Sequence, residues 1–206
     1  AFGRDFYIEP TSIQHANAVF QDEYQIKDLR QHDVRTIVDI GAHVGSFTVL
    51  CHQYWPAAKI VAVEPHPESF ALLEKNTAHI PSDRLLLFNA AVCKNSGTTL
   101  LSSSVSHSRV GEYVPSLWSD FEERPGEFGV AVPAMTTVEL WETMTAFGVE
   151  HIDLLKLDCE GAEYTILPDL NRLGLLSTLG WIRGESHCRS ANPTLEKSLA
   201  PTHSYH

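Results

Sequence analysis

The sequence has no apolar run long enough to span a bilayer, no C-x-x-C pair and no cluster of basic residues. The first absence excludes a transmembrane helix, and the opening residues, with Arg4 and Asp5 among aromatics, lack the charged-then-apolar order of a signal peptide. A start at Ala1 rather than Met points to processing or an expression boundary. Cys51, Cys93, Cys159 and Cys188 stand far apart, so they suit neither a zinc site nor a disulfide frame and read as reduced thiols of a cytoplasmic protein. Basic residues are scarce, 15 against 26 acidic ones, and the formal charge of -11 with no basic stripe repels nucleic acid as a substrate. What remains is ordinary globular composition, 43% apolar and 20% charged over 206 residues, enough for one α/β domain with a short appendage.

The chain is organised around Val38-Asp39-Ile40-Gly41-Ala42-His43-Val44-Gly45-Ser46-Phe47. A β-branched run over 35–40 predicts a strand buried on both faces, and Phe47, Val49 and Leu50 at helical spacing predict a helix behind the turn. Gly41 suits a positive φ, and Gly45 suits close backbone approach. A helix opening there points free N–H groups into the turn, the position of nucleotide-like ligands in doubly wound sheets. About 20 residues on, Lys59-Ile60-Val61-Ala62-Val63 ends in Glu64-Pro65, placing a carboxylate where it can accept from ribose hydroxyls. The spacing is D-x-G-x-x-x-G, without the third glycine that sets a pyrophosphate against a helix, so the ligand expected has a ribose and no diphosphate. That favours S-adenosylmethionine over a dinucleotide.

Taken in order, 1–34 is a lead-in with helical periodicity over 12–29, expected to pack on or over the cofactor cleft; Tyr7, Phe20 and Tyr24 suit core packing or a substrate entrance. The main domain is placed at 35–190. Helices are predicted from Ser46 to about Gln53, from Pro67 to near Ala78, from a hydroxyl cap in Thr136-Thr137, two residues ahead of the acid Glu139, to about Phe147, and after Gly161. Strands are predicted at 59–63, 85–88, 97–101, 130–133, 152–157 and 179–185. Asn89-Ala90-Ala91 offers small side chains to an adenine ring, with Asn89 either bonding the ring edge or closing a turn. The serine-, proline- and glycine-bearing stretch 102–129 reads as a loop or insertion, a candidate acceptor lid with Arg109, Tyr113 and Trp118 able to hold a polar ring. A tail follows at 191–206.

Val38 to Gly45, Val63-Glu64-Pro65-His66-Pro67 and Asp153-Leu154-Leu155-Lys156-Leu157-Asp158-Cys159-Glu160-Gly161-Ala162-Glu163 resemble the FkbM family of S-adenosylmethionine-dependent methyltransferases, over about 34–188. The resemblance implies a Rossmann-like, doubly wound, mostly parallel sheet with helices on both faces, and O-methylation of a hydroxyl on a small molecule or glycan, with S-adenosylhomocysteine as product. It sets Asp39, Gly41, Ala42 and Gly45 around the methionine portion, Glu64 on the ribose, Asn89, Ala90 and Ala91 near adenine, and Asp158 beside the reacting centre. His43 stands where the family usually has Asn, and 188–206 lacks the strand pair that usually completes the sheet, so the tail is truncated or the sheet ends at an unusual edge. His43, Pro65 and His66 count as cofactor contacts or turn residues.

Methyl transfer to an alcohol needs alignment, plus a base or a metal that lowers the hydroxyl pKa. His187 is the expected base because an ordinary imidazole titrates near working pH, with Asp158, Lys156 and Glu185 completing the catalytic set. Asp158, Glu160 and Glu185 are the oxygen ligands available to a divalent cation, but the same acids can cap the next helix or pair with Lys156 and Arg183, and no metal is expected. Two other readings stand beside this one: a methyltransferase-like binding module without turnover, and a nicotinamide-dependent oxidoreductase.

Overall fold

In a computed structural model, which describes residues 5–103, 115–116, 128–187, 192–200 and 202–203, five aliphatic runs form one parallel sheet. They are Thr36–Ile40 (β1), Lys59–Val63 (β2), Leu85–Phe88 (β3), and, later in the chain, Ile152–Leu157 (β8) and Leu179–Gly184 (β9), in the order β3-β2-β1-β8-β9. β1 and β8 are adjacent, with Asp39 opposite Lys156 and Ile40 opposite Leu157. The near-continuous burial of β1, β2 and β8 explains their lack of polar alternation, since helices cover both faces of the sheet. The helices are Ile13–Phe20 (α1), Ser46–Tyr54 (α2), Pro67–Thr77 (α3), Thr137–Ala146 (α4), Glu163–Arg172 (α5) and Asn192–Leu199 (α6). One apolar core gathers Val38, Val61, Leu155 and Leu157 with Leu140, Ile166 and Leu170; another gathers Ile37, Ile60 and Leu154 with Phe47, Leu50 and Tyr24. The strand order reverses between β1 and β8, and that reversal opens a crevice at their carboxyl ends.

A second sheet, order β4-β7-β5-β6, sits between β3 and α4 in sequence: Ala91–Val92 (β4), Gly97–Ser103 (β5), Pro115–Ser116 (β6) and Phe128–Met135 (β7). It revises the expected loop at 102–129, because Ser102 and Ser103 pair with Gly129 and Phe128 in an antiparallel ladder that polar composition does not reveal. The lead-in is likewise not one helix. α1 stops at Phe20, Asp22 and Gln25 take positive φ, and the Asp22 side chain accepts from the Ile26 and Lys27 N–H groups before a 3-10 turn at Lys27–Gln31. Among the described residues no strand follows β9, and no helix is long and apolar enough to cross a membrane.

Candidate active site

The turn after β1 is built by its glycines. A Cβ at Gly41 (φ +82°) would fall 1.8 Å from the Asp158 carbonyl oxygen, and one at Gly45 (φ +87°), the N-cap of α2, would fall 2.8 Å from Leu73 Cδ1. Only a bare backbone lets β1 leave the sheet so close to β8. Within the turn, Gly41 and Ala42 both donate to the Val63 carbonyl, and Gly45 donates to the Ala42 carbonyl. His43 turns through a positive φ of 53° and donates its N–H to Glu64 Oε2 at 2.7 Å, while His66 donates to Glu64 Oε1 at 2.8 Å. Glu64 is thereby aimed, although burial pushes its pKa up to about 7 against the pull of those two backbone bonds.

The cavity at the strand ends has a volume of about 420 Å³, within the range that encloses a small ligand. Gly41, His43, Glu64, Pro65 and His66 form one wall, Ala90, Ala91, Val92 and Leu101 another, and Asp158, Glu160, Ala162 and Glu185 the rim at the ends of β8 and β9. The lead-in supplies the cover, as expected, through Glu9, Thr11, Ser12, Gln14 and His15. Glu160, like His43, has a positive φ of 53°, so strained backbone marks both turns that face the cavity.

Several expected contacts lie elsewhere. Asp39 is fully buried beneath the turn, accepting from Thr48 Oγ1 at 2.6 Å and pairing with Lys156 Nζ at 3.2 Å. Lys156, 2% exposed, also donates to the Gly41 carbonyl at 2.5 Å, so it supports the turn and is not among the residues lining the cavity. Burial lowers its pKa, but the charges of Asp39 and Asp158 and the bond to Asp39 together outweigh that and keep the ammonium charged. Ala42 and Gly45 are not among the residues lining the cavity. Asn89 closes a turn, its Nδ2 donating to the Glu64 and Pro65 carbonyls, and is not in the wall. Arg109, Tyr113 and Trp118 lie outside the described residues.

At the rim, Asp158 is held from both sides: Tyr24 donates its hydroxyl to Oδ2 at 2.5 Å, and His187 Nε2 is 3.3 Å from Oδ1. His187 Nδ1 meets Glu163 Oε1 at 3.0 Å, and Glu163, 1% exposed, is itself fixed by the Gly161 N–H. Glu160 and Glu185 each approach His187 Nε2 to 3.7 Å. This overturns the reason for choosing His187 as base. Burial lowers its pKa, but bonds to Asp158 and Glu163, with Glu160 beside them, raise it to about 11, so at neutral pH the ring is already protonated. Asp158 shifts the other way: burial raises it, and the bonds from His187 and Tyr24 with the charge of Lys156 hold it well below the usual carboxylate range. Glu160, raised to about 7 by burial despite the imidazolium and helped by the neighbouring acids, is the rim carboxylate that titrates near working pH. Among the described residues Asp158, Glu185 and His187 place ligand atoms within 4.8 Å of one another, so His187 takes the place of Glu160 among the three candidates the sequence offers, although no metal is expected.

Ser12 and His15 carry no sequence signal for this site, and Tyr24, expected in the core or at a substrate entrance, could not be paired with Asp158 from sequence because the fold must first bring the two together across 134 positions. Glu163 had one, at the end of the E-G-A-E run.

The chain is similar to known proteins in sequence and in fold. "Methyltransferase sdnD" of Sordaria araneosa is 30% identical over 172 residues, covering 72% of this chain and 65% of that protein. Among solved structures, the METTL16 MTase domain superposes with a TM-score of 0.52 at 12% identity, over 90% of this chain and 58% of that one, which shows the shared fold. A structure of StiE O-MT matches with a TM-score of 0.49 at 12% identity, over 92% of this chain and 53% of that one. The chain thus spans between about half and two thirds of these relatives' length. Residues 39–201 match the profile of the methyltransferase FkbM domain, and the chain belongs to that family.

Proposed function

We propose that this protein is an S-adenosylmethionine-dependent O-methyltransferase acting on a hydroxyl of a small molecule or glycan. The observation that carries the reading is that Glu64, aimed by two backbone N–H groups, and Glu160, a carboxylate titrating near neutrality, face one cavity from the ends of β2 and β8. The cavity fits the donor: its volume suffices, Glu64 keeps lone pairs for a ribose diol, and His43 Nδ1 is buried there without a partner. A dinucleotide fits poorly, because no Lys or Arg is in the described wall to meet a diphosphate.

When bound, the donor supplies a methyl group on a sulfonium. The chain's own groups orient the acceptor at the rim and take its proton. Glu160 is the base, since a proton acceptor works best when its pKa lies near the operating pH. Imidazolium His187, braced by Glu163, fixes Asp158 and so the shape of the rim.

The test is incubation with S-adenosylmethionine carrying an isotopic methyl group and a panel of hydroxylated sugars and polyketide-type alcohols, read by mass spectrometry. A labelled ether product is expected, and Glu160→Gln at saturating donor should slow its formation about 100-fold, the usual worth of a positioned base. Label on nitrogen or carbon in place of oxygen would overturn the assignment, as would an unaffected rate in the variant.

A further inference from the structure

We infer that the charge of this cavity discriminates the methyl donor from its spent product, holding S-adenosylmethionine and releasing S-adenosylhomocysteine; the inference rests on the donor reading above. Six residues of the described wall are carboxylates, Glu9, Glu64, Glu68, Asp158, Glu160 and Glu185, and none is Lys or Arg. Among the described residues, two cations close to the wall, Lys156 and His187, are already paired. Lys156 is behind the wall, paired with Asp39 at 3.2 Å. His187 lies among Asp158, Glu160, Glu163 and Glu185, so its single charge leaves the rim net negative.

The two nucleosides differ at one atom. S-adenosylmethionine carries a sulfonium, an ammonium and a carboxylate, a net charge of +1. Once the methyl group leaves, the sulfur keeps the electron pair of the broken S–C bond and the product is net neutral. The acceptor oxygen forms the new O–C bond and gives its proton to Glu160, so the positive charge lost from sulfur reappears as a proton on the rim and the occupied cavity stays balanced. S-adenosylhomocysteine then faces the carboxylates without the sulfonium, and its ammonium is balanced by its own carboxylate. Coulomb attraction inside a partly enclosed cavity is stronger than in bulk water, and here it acts on the substrate form alone.

Calorimetry with the two purified nucleosides needs no acceptor. We expect the wild-type protein to bind S-adenosylmethionine at least about tenfold more tightly than S-adenosylhomocysteine, and the double variant Glu160→Gln/Glu185→Gln to bring the ratio to within about threefold by weakening the first and leaving the second unchanged. Equal affinities in the wild type, tighter product binding, or a ratio preserved in the variant would each overturn the inference. Failure to bind either nucleoside would instead sink the donor reading itself. Should the double variant not fold, raising the wild-type buffer from about 0.05 to 0.5 M salt decides, because screening must loosen the cation alone; a donor affinity indifferent to salt counts against the proposal.

Discussion

At the scale of single residues, the most consequential pair is Asp39 and Lys156, which no ligand needs to touch. Both are removed from water, 3.2 Å apart, and the remaining bonds of each are spent inside the chain, from Thr48 to Asp39 and from Lys156 to the Gly41 carbonyl. The pair therefore ties β1 to β8 at the level of the glycine turn. Taking away one member of a buried ion pair strands the other charge and costs about 3–5 kcal/mol, whereas replacing both with apolar groups is often nearly neutral. Asp39→Ala should lower unfolding stability by about that amount, and Asp39→Leu/Lys156→Met should recover most of the loss in urea unfolding. A D-x-G motif suggests a residue that binds ligand and leaves the fold alone; the burial of Asp39 instead pairs it with Lys156, which bonds the Gly41 carbonyl at the cavity wall. Were Asp39→Ala as stable as the wild type, the pair would have no such role.

Among the elements, α4 shows which signals a sequence transmits. Thr136 accepts from the Glu139 N–H at 3.2 Å, and the Glu139 carboxylate accepts from the Thr136 N–H at 2.7 Å, a complete capping box. Thr136→Ala should cost about 1 kcal/mol in urea unfolding and Thr136→Ser much less; equal losses would mean the hydroxyl is not the operative group. A hydroxyl cap at the start of α4, the two-faced burial of β1 and the carboxylate at the end of β2 were legible, because each depends on residues within a few positions of one another, although the three-residue spacing of the box was not. The illegible parts share the opposite property. Helical spacing over 12–29 does not reveal that Asp22 captures two backbone N–H groups and ends the helix. Polar residues at 102–103 become strand only when 128–129 pair with them. The state of His187 depends on four carboxylates delivered by the ends of β8 and β9 and the start of α5, and no local reading of a histidine supplies its pKa.

For the molecule as a whole, those clustered charges set stability and ligand binding against each other as pH changes. Glu64 and Glu160 have native pKa values raised from 4.5 to about 7, so between those limits the folded state holds protons that the unfolded chain has lost, and stability falls as pH rises through that window. His187, raised from 6.5 to about 11, has the same sign over a higher window: its contribution is full below 6.5 and is lost on the way to 11. Asp158 has the opposite sign, because its lowered pKa makes it a stabilising group only above the ordinary value of 3.8. The ligand-free protein should accordingly be most stable near about pH 5 and weaken steadily toward about pH 9 in urea unfolding. Donor affinity should run the other way. An ionised Glu64 accepts from both ribose hydroxyls, and a protonated one offers fewer lone pairs, so calorimetric affinity should climb between about pH 6 and 8, and Glu64→Gln should flatten that climb. Because the groups that weaken the empty fold at neutral pH are those that engage a cationic nucleoside with a ribose, opposite slopes for stability and affinity are the signature of a site whose charges serve its ligand; parallel slopes would show that they do not.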